Sequence, residues 1–120
     1  PEGADLSRAE RARQFVSLFP CTLVYKGART IVTAKGEDLH YNVTGNPGMA
    51  TGGQGDVLSG LLGALLAGGL RPLDAARAAV WLAGRSAELA LTGGEAPESL
   101  VAGDTAGFMG GAFSALRRGW

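Results

Sequence analysis

The sequence is poor in cysteine and carries no net charge. Its 120 residues include one cysteine, Cys21, which excludes an internal disulfide framework and predicts a reducing, cytoplasmic setting. Because Cys21 lies in an apolar run, we expect a buried and inert thiol. The 11 basic and 11 acidic residues cancel, so no electrostatic footprint for nucleic acid or an anionic membrane is present. A small molecule or another protein chain is therefore the expected partner.

Long hydrophobic runs are also missing. The longest, from Val57 to Leu70, is interrupted by glycines and a serine and is too short to cross a bilayer. The first residues resemble neither a signal peptide nor a transit peptide. Glycine is abundant, with 20 residues. The glycines do not recur at every third position as in collagen, and there are only 5 prolines. The glycines concentrate at 45–69 and 93–111, which suggests that they have positional roles.

Periodicity and end signals predict the order α-β-β-β-α-α-α. Ser7 and Glu10 match a capping box, which predicts that a helix begins at Arg8. Three strands, the last two forming a hairpin at a sheet edge, are expected at 22–25, 30–33 and 38–43. Helices are expected at 8–18, 56–67, 72–92 and 104–117. We find no repeat and no linker, and therefore expect a single unit over residues 1–120.

The apolar faces of the predicted helices indicate how they pack. Helix 56–67 is apolar around most of its circumference, which predicts burial on several sides and favours a fragment of a larger α/β unit. The other three helices carry narrower stripes. Their expected buried residues are Ala12, Phe15, Val16 and Leu18; Leu73, Ala76, Val80, Ala83, Ala87 and Ala90; and Ala106, Met109, Ala112, Phe113 and Leu116.

A glycine-rich loop directly precedes the predicted helix 56–67. Glycines in Gly52–Gly55 allow positive φ angles and close approach of a ligand, so their N–H groups can form an anion-binding nest. The amino terminus of the helix adds unpaired donors and a partial positive charge. Together these features predict a site for a phosphate or for a phosphoryl group in transfer.

Asp56 has two interpretations at this stage. It could cap the helix, or it could act as a general base that takes a proton from an attacking hydroxyl. Asn46 could likewise contact the ligand or only form a turn with the proline that follows. His40 has no second metal ligand spaced with it, and Trp81 lies in an alanine-rich helix, so structural roles are expected for both.

The loop and its flanks closely resemble the signature of the ADP/ATP-dependent NAD(P)H-hydrate dehydratases, a branch of the ribokinase-like superfamily. The family usually has Ser or Thr at the position of Gln54. The turn from Lys26 to Thr30 resembles the family's second, nucleotide-contacting motif. The matching signature run is Asn46-Pro47-Gly48-Met49-Ala50-Thr51-Gly52-Gly53-Gln54-Gly55-Asp56-Val57-Leu58-Ser59-Gly60.

The resemblance implies an α/β, three-layer αβα fold of which only the carboxy-terminal half is present. It also implies that (6S)-NADHX or NADPHX is dehydrated at the expense of ADP or ATP with Mg²⁺. Asp56 would be the base and would contact the hydrate, with Asn46 nearby. The anion hole would be Gly53, Gln54 and Gly55, and the nucleotide would contact Lys26, Gly27, Ala28, Arg29, Thr30 and Gly55.

Other interpretations remain open from the sequence. A vitamin-precursor or sugar kinase of the same superfamily shares the Gly-x-Gly-Asp loop, and a non-catalytic nucleotide-binding or assembly module would need no base. The family domain is about twice as long as this chain. We therefore expect a missing amino-terminal half or a complementary chain, and association into homo-oligomers through the surface that a half-sheet exposes.

Overall fold

Five helices and three short strands make up the part of the chain that the computed structural model describes, residues 6–46, 49 and 52–118. The predicted order holds, except that two helices are found where one was predicted at 104–117. The elements are α1 (Arg8–Leu18), β1 (Leu23–Tyr25), β2 (Ile31–Thr33), β3 (His40–Tyr41), α2 (Gln54–Ala67), α3 (Pro72–Thr92), α4 (Ala102–Gly107) and α5 (Met109–Arg117).

The three strands form an antiparallel sheet in the order β1-β2-β3. Val24 lies opposite Val32, and Val32 lies opposite His40. All three strands are shorter than predicted, and β3 most of all. After Tyr41 the chain turns towards α3, and the side chain of Asn42 donates a hydrogen bond to the Val80 carbonyl at 3.2 Å. Contacts with a helix thus replace the strand ladder that the alternating pattern predicted.

The central strand β2 is the most deeply buried part of the sheet, because α1 and α3 both pack against it. Successive side chains of a strand point to opposite faces, so burial of all three β2 residues means that both faces are covered. Val32 forms a core cluster with Ala76 and Val80 of α3, joined by the partly buried Val24, Leu58, Leu62 and Leu73. The helices therefore enclose a small three-layer core.

α1 begins as predicted. The Ser7 hydroxyl accepts a hydrogen bond from the Glu10 N–H, and the Glu10 carboxylate accepts one from the Ser7 N–H, both at 3.1 Å. Ala12 and Val16 are buried as expected. Phe15 and Leu18 are exposed, so the apolar face is narrower than predicted. The Phe15 ring packs against the Phe19 ring, 4.9 Å between centroids, on the outer side of the helix end.

The long helix α3 organises the helical part of the structure. Its predicted stripe of small residues is confirmed, since Ala76, Val80, Ala83, Ala87 and Ala90 are buried. Gly84 lies in the middle of this face, and Thr44 packs directly onto it. A Cβ atom at Gly84 would stand 2.7 Å from the carbonyl carbon of Thr44. Small residues thus let a neighbouring backbone come unusually close to the helix.

Three further expectations were wrong. Cys21 is exposed, because the chain passes over the surface between α1 and β1. The predicted helix 104–117 is interrupted at Phe108, where α4 ends and α5 begins, and Ala106 is exposed. α2 begins at Gln54, earlier than predicted, and Gln54 is the only buried residue among its described side chains. None of the helices in the described ranges has the length and apolar character needed to cross a membrane.

The capping box predicts a pH-dependent contribution to stability. The hydrogen bonds from Ser7 lower the pKa of the Glu10 carboxyl below its ordinary value. A lowered pKa means that the ionised carboxylate stabilises the folded state at neutral pH, and that this stabilisation is lost as the pH falls through the folded-state pKa. We expect Glu10→Gln to lower the melting temperature at neutral pH and to approach wild type in acid. Glu98→Gln, at an exposed site, is the control. A difference in melting temperature between Glu10→Gln and wild type that persists in acid would contradict the role of the ionised Glu10 carboxylate.

The contact between Gly84 and Thr44 predicts a large cost for a small substitution. Gly84→Ala places a methyl group against the Thr44 backbone, and we expect the free energy of unfolding to fall by about 1–3 kcal/mol. Gly110→Ala on α5 meets open space and should instead stabilise by up to about 1 kcal/mol through helix propensity. Urea denaturation measures both free energies of unfolding. An equal increase in the two variants would show that the Thr44 backbone moves to accommodate the methyl group.

Candidate functional site

A cavity of about 800 Å³ lies between three backbone segments. The first is the turn between β1 and β2, the second is the stretch that follows β3, and the third is the first turn of α2. The α3 residues Val80 and Ala83 form part of the wall. Seven of the site residues predicted from the sequence line this cavity: Lys26, Gly27, Ala28, Thr30, Asn46, Gln54 and Gly55.

Arg8 holds the turn between β1 and β2 from outside the cavity. Its guanidinium donates hydrogen bonds to the carbonyls of Arg29 at 2.8 Å, Tyr25 at 3.0 Å and Lys26 at 3.1 Å. It also lies over the Tyr25 ring, 4.6 Å from the centroid, as a cation–π contact. The sequence contained one signal for this role that was missed. A cation in the first turn of a helix opposes the macrodipole, which indicates a partner elsewhere.

Gly27 gives the guanidinium its space. A Cβ atom at this position would lie 2.6 Å from Arg8 Nη2 and 2.8 Å from Arg8 Cζ. Any larger residue would displace Arg8 and loosen the turn. The turn also carries a weak internal hydrogen bond, from the Thr30 hydroxyl to the Gly27 carbonyl at 3.4 Å. Its shape is therefore set mainly by α1.

The segment that follows β3 is fixed to α3. The Thr44 hydroxyl donates to the Trp81 carbonyl at 3.1 Å, and the Gly45 N–H donates to the Glu88 carboxylate at 3.0 Å. Asn42 Oδ1 lies 3.0 Å from the Thr44 hydroxyl and is an alternative acceptor for its single proton. Asn42, Thr44 and Gly45 line the cavity. They were not predicted as site residues, because their positions depend on contacts with residues far away in the chain.

The first turn of α2 presents unpaired backbone donors. Gly53 is the N-cap, with φ of +89°, a left-handed conformation that favours glycine. No side chain within the described residues caps this end, so its first N–H groups remain available to a ligand. Asp56 comes three positions after the cap and is exposed. The interpretation of Asp56 as the N-cap is therefore wrong.

Two side chains at the cavity have a direct bearing on ligand binding. Lys26 is exposed, and its Nζ lies 3.4 Å from the position that a Cβ would occupy on Gly55, which places a cation beside the first turn of α2. Gln54 is 7% exposed, and its amide nitrogen and oxygen both lack a hydrogen-bond partner within the described residues. The cavity thus combines one positive charge, backbone donors and an unsatisfied amide.

Three predicted site residues do not line the cavity. Arg29 is exposed and contributes its carbonyl to Arg8, while Gly53 is the cap of α2. Asp56 is exposed, two positions after Gln54 in the first turn of α2. The motif residues Pro47, Gly48, Ala50 and Thr51 lie outside the described residues.

A protein ligand set for a metal ion is not found in the described part of the chain. Groups of three or more His, Cys, Asp and Glu side chains that could hold a metal do not occur there. His40 instead lines a smaller cavity of about 430 Å³, together with Trp81 and Arg77.

Comparison with known proteins gives a consistent result. The family model described as NAD(P)H-hydrate dehydratase matches residues 2–100. An ADP-dependent (S)-NAD(P)H-hydrate dehydratase from Neisseria meningitidis is 37% identical over 99 residues, which are 82% of this chain. A bifunctional NAD(P)H-hydrate repair enzyme from Escherichia coli is 44% identical over 82 residues, or 68% of this chain.

A solved structure has the same fold over most of the chain. The ADP/ATP-dependent NAD(P)H-hydrate dehydratase from Bacillus subtilis, co-crystallised with ATP and Mg²⁺, superposes with a TM-score of 0.84 and 30% identity over 91% of this chain. The present chain spans 39% of that protein and 33% of the Neisseria meningitidis protein. It is thus similar to one part of longer proteins.

The role of Arg8 can be tested by its removal. Arg8→Ala eliminates three charge-assisted hydrogen bonds, and we expect the free energy of unfolding to fall by about 2 kcal/mol. Hydrogen exchange at the amides of residues 26–30 should become faster. Arg13→Ala, an exposed position on the same helix, should change the stability by less than about 0.5 kcal/mol. Equal effects of the two variants would mean that Arg8 does not hold the turn.

Proposed function

The chain belongs to the NAD(P)H-hydrate dehydratase family, and we propose that it carries the nucleotide-binding half of an enzyme that dehydrates (6S)-NADHX or NADPHX with ADP or ATP. It has the ribokinase-like fold of that family over the part it covers. The observation that carries the proposal is the cavity that joins the turn from Lys26 to Thr30 with the first turn of α2.

The nucleotide would occupy this cavity. Lys26 supplies a point charge for a phosphate, and Gly27, Ala28 and Thr30 form the wall beside it. Arg29 contributes to the same turn through its backbone. Gly55 lets the phosphates approach closely because it lacks a side chain next to Lys26 Nζ. The backbone donors of Gly53, Gln54 and Gly55 form the anion hole for negative charge that develops on the transferred group.

Asp56 would act on the hydrate at the first turn of α2, next to the anion hole. Its carboxylate is an exposed group with no capping role, which leaves it available as a general base. In the proposed reaction it takes the proton from the hydroxyl of the hydrate. The hydroxyl oxygen forms a bond to the terminal phosphorus of ADP or ATP, and the bond from this phosphorus to the leaving nucleotide breaks. Asn46 lines the cavity and would orient the substrate.

The second half of the reaction is an elimination. The new phosphate ester leaves the nicotinamide ring as inorganic phosphate, a neighbouring carbon loses a proton, and the ring double bond is restored. Mg²⁺ would neutralise charge on the nucleotide phosphates and would be held chiefly by their oxygens and by water, as is usual for this ion. The residues of this chain then have to position the phosphates and move one proton.

The remaining proposals concern what surrounds the chain. Leu66 and Leu70, at the end of α2 and just beyond it, are 42% and 43% exposed. We expect the rest of the domain, or a complementary chain, to cover this apolar surface, because isolated patches of this kind usually mark an interface. Assembly into homo-oligomers and a cytoplasmic location belong to the same proposal.

Substitution of Asp56 tests the proposed base. In the protein that carries this chain, Asp56→Asn should reduce the turnover of NADHX with ADP or ATP by about 100-fold or more, because proton transfer loses its acceptor. Nucleotide affinity and the melting temperature should stay close to wild type, since Asp56 is exposed and makes no cap. Asp38→Asn, another exposed aspartate, is the control.

Two results would contradict the proposal in different ways. Full turnover by Asp56→Asn would remove Asp56 from the chemistry. If the wild-type protein leaves NADHX unchanged but phosphorylates a vitamin alcohol or a sugar, the site belongs to a small-molecule kinase. Binding of ADP without any turnover of these substrates would indicate a non-catalytic module.

A further inference from the structure

A half-buried carboxylate on α3, that of Glu88, has no role in the reaction described above. Its two oxygens have different partners. One accepts a hydrogen bond from the Gly45 N–H at 3.0 Å, and the other accepts one from the Arg85 guanidinium at 3.3 Å. Glu88 therefore links helix α3 to the backbone of the segment that follows β3, 43 positions earlier in the chain.

The ion pair with Arg85 is the smaller part of what Glu88 does. An ion pair on a solvated helix face contributes little to stability. A partly buried carboxylate that accepts from a backbone N–H makes a charge-assisted hydrogen bond, which is one of the stronger hydrogen bonds in proteins. The Glu88 side chain is 32% exposed. We therefore regard the bond to Gly45 as its main contribution.

Gly45 needs such a restraint, because glycine restricts its own backbone less than any other residue does. Its φ angle is +107°, a conformation that residues with a Cβ rarely adopt. A Cβ at this position would also lie 2.7 Å from Met49 Sδ, so packing requires glycine as well. The hydrogen bond to Glu88 holds the peptide plane between Thr44 and Gly45. It thereby selects one direction for the chain that follows.

The residue that follows is Asn46, which lines the large cavity and is the proposed contact of the hydrate. Its carbonyl accepts a hydrogen bond from the Met49 N–H at 3.1 Å. Met49 in turn packs against the buried cluster that includes Ala87 and Ala90 of α3. Asn46 is thus held between two attachments to the helices, one at Glu88 and one through Met49.

The nucleotide side of the cavity has other supports. Arg8 holds the turn that contains Lys26, and the first turn of α2 starts from its own cap at Gly53. Loss of the Glu88 carboxylate leaves these supports in place and loosens the side of the cavity at Gly45 and Asn46. A defect in Glu88 should therefore affect the two substrates unequally.

We propose that Glu88 is a positioning residue for the hydrate, because through the Gly45 N–H it sets the direction in which Asn46 enters the cavity. It acts through the backbone and touches neither the hydrate nor the nucleotide. This inference rests on the proposed function, in which Asn46 orients the hydrate. It extends the site from the glycine-rich signature to helix α3.

Two variants test the inference on the protein that carries this chain, by steady-state kinetics with NADHX and calorimetry of ADP binding. Glu88→Ala removes both acceptor oxygens. It should raise the KM for NADHX about tenfold, as expected for one lost hydrogen bond to a charged group, and leave kcat and ADP affinity within about threefold of wild type. Glu88→Gln should return the KM to within about threefold of wild type, because a neutral acceptor keeps about half of the bond strength.

A second readout separates positioning from a general loss of structure. Hydrogen exchange at the Gly45 amide should become faster in Glu88→Ala and stay slow in Glu88→Gln. Asp74→Ala is the matched control, because it removes the carboxylate of another i,i+3 ion pair on the same helix, Arg71–Asp74. It should change neither the KM for NADHX nor the exchange of the Gly45 amide, and an effect equal to that of Glu88→Ala would overturn the inference.

The outcomes also distinguish this inference from the proposed function. If wild type turns over no NADHX, the proposed function fails and the inference fails with it. If wild type turns over NADHX and Glu88→Ala keeps the same KM, only the inference fails. An equal rise in the KM for NADHX and in the dissociation constant of ADP would show a general loosening of the fold. Failure of Glu88→Gln to lower the KM would show that the charge acts rather than the hydrogen bond. Either of these results would overturn the inference.

Discussion

The close approach of the segment after β3 to helix α3 is the contact on which the rest of the site depends. Gly84 has no side chain, so the Thr44 backbone can lie directly against the helix. From this position Thr44 and Asn42 reach the carbonyls of Trp81 and Val80, which use the second lone pair that a helical carbonyl keeps free. The chain is thereby directed from the sheet towards α2, and the wall of the cavity is formed on the way.

Support and binding are provided by different sides of the same backbone segments. Arg8 donates hydrogen bonds to the outer carbonyls of the turn between β1 and β2. Glu88 on α3 accepts a hydrogen bond from the Gly45 N–H. The inner sides retain Lys26, the Gln54 amide and the donors at the start of α2. A phosphate-binding site needs donors held in place before the ligand arrives, and these outer contacts hold them.

The features that were predictable from the sequence are those set by neighbouring residues. The capping box at Ser7, the start of α3 at Pro72 and its buried alanine stripe follow from local geometry and periodicity, and all are present. The glycine-rich loop was likewise recognisable as the start of a helix. The partners of Arg8 and the short β3 depend on long-range contacts, which no local pattern specifies. The burial of α2 within a larger α/β unit stays a prediction, because this chain alone leaves Leu66 exposed.

The location of the nucleotide is the central claim, and a crystal structure of the protein with ADP tests it most directly. The account predicts that the phosphates lie against the N–H groups of residues 53–55, with Lys26 Nζ in contact. ADP bound elsewhere, with the cavity filled by side chains from the rest of the protein, would contradict the account.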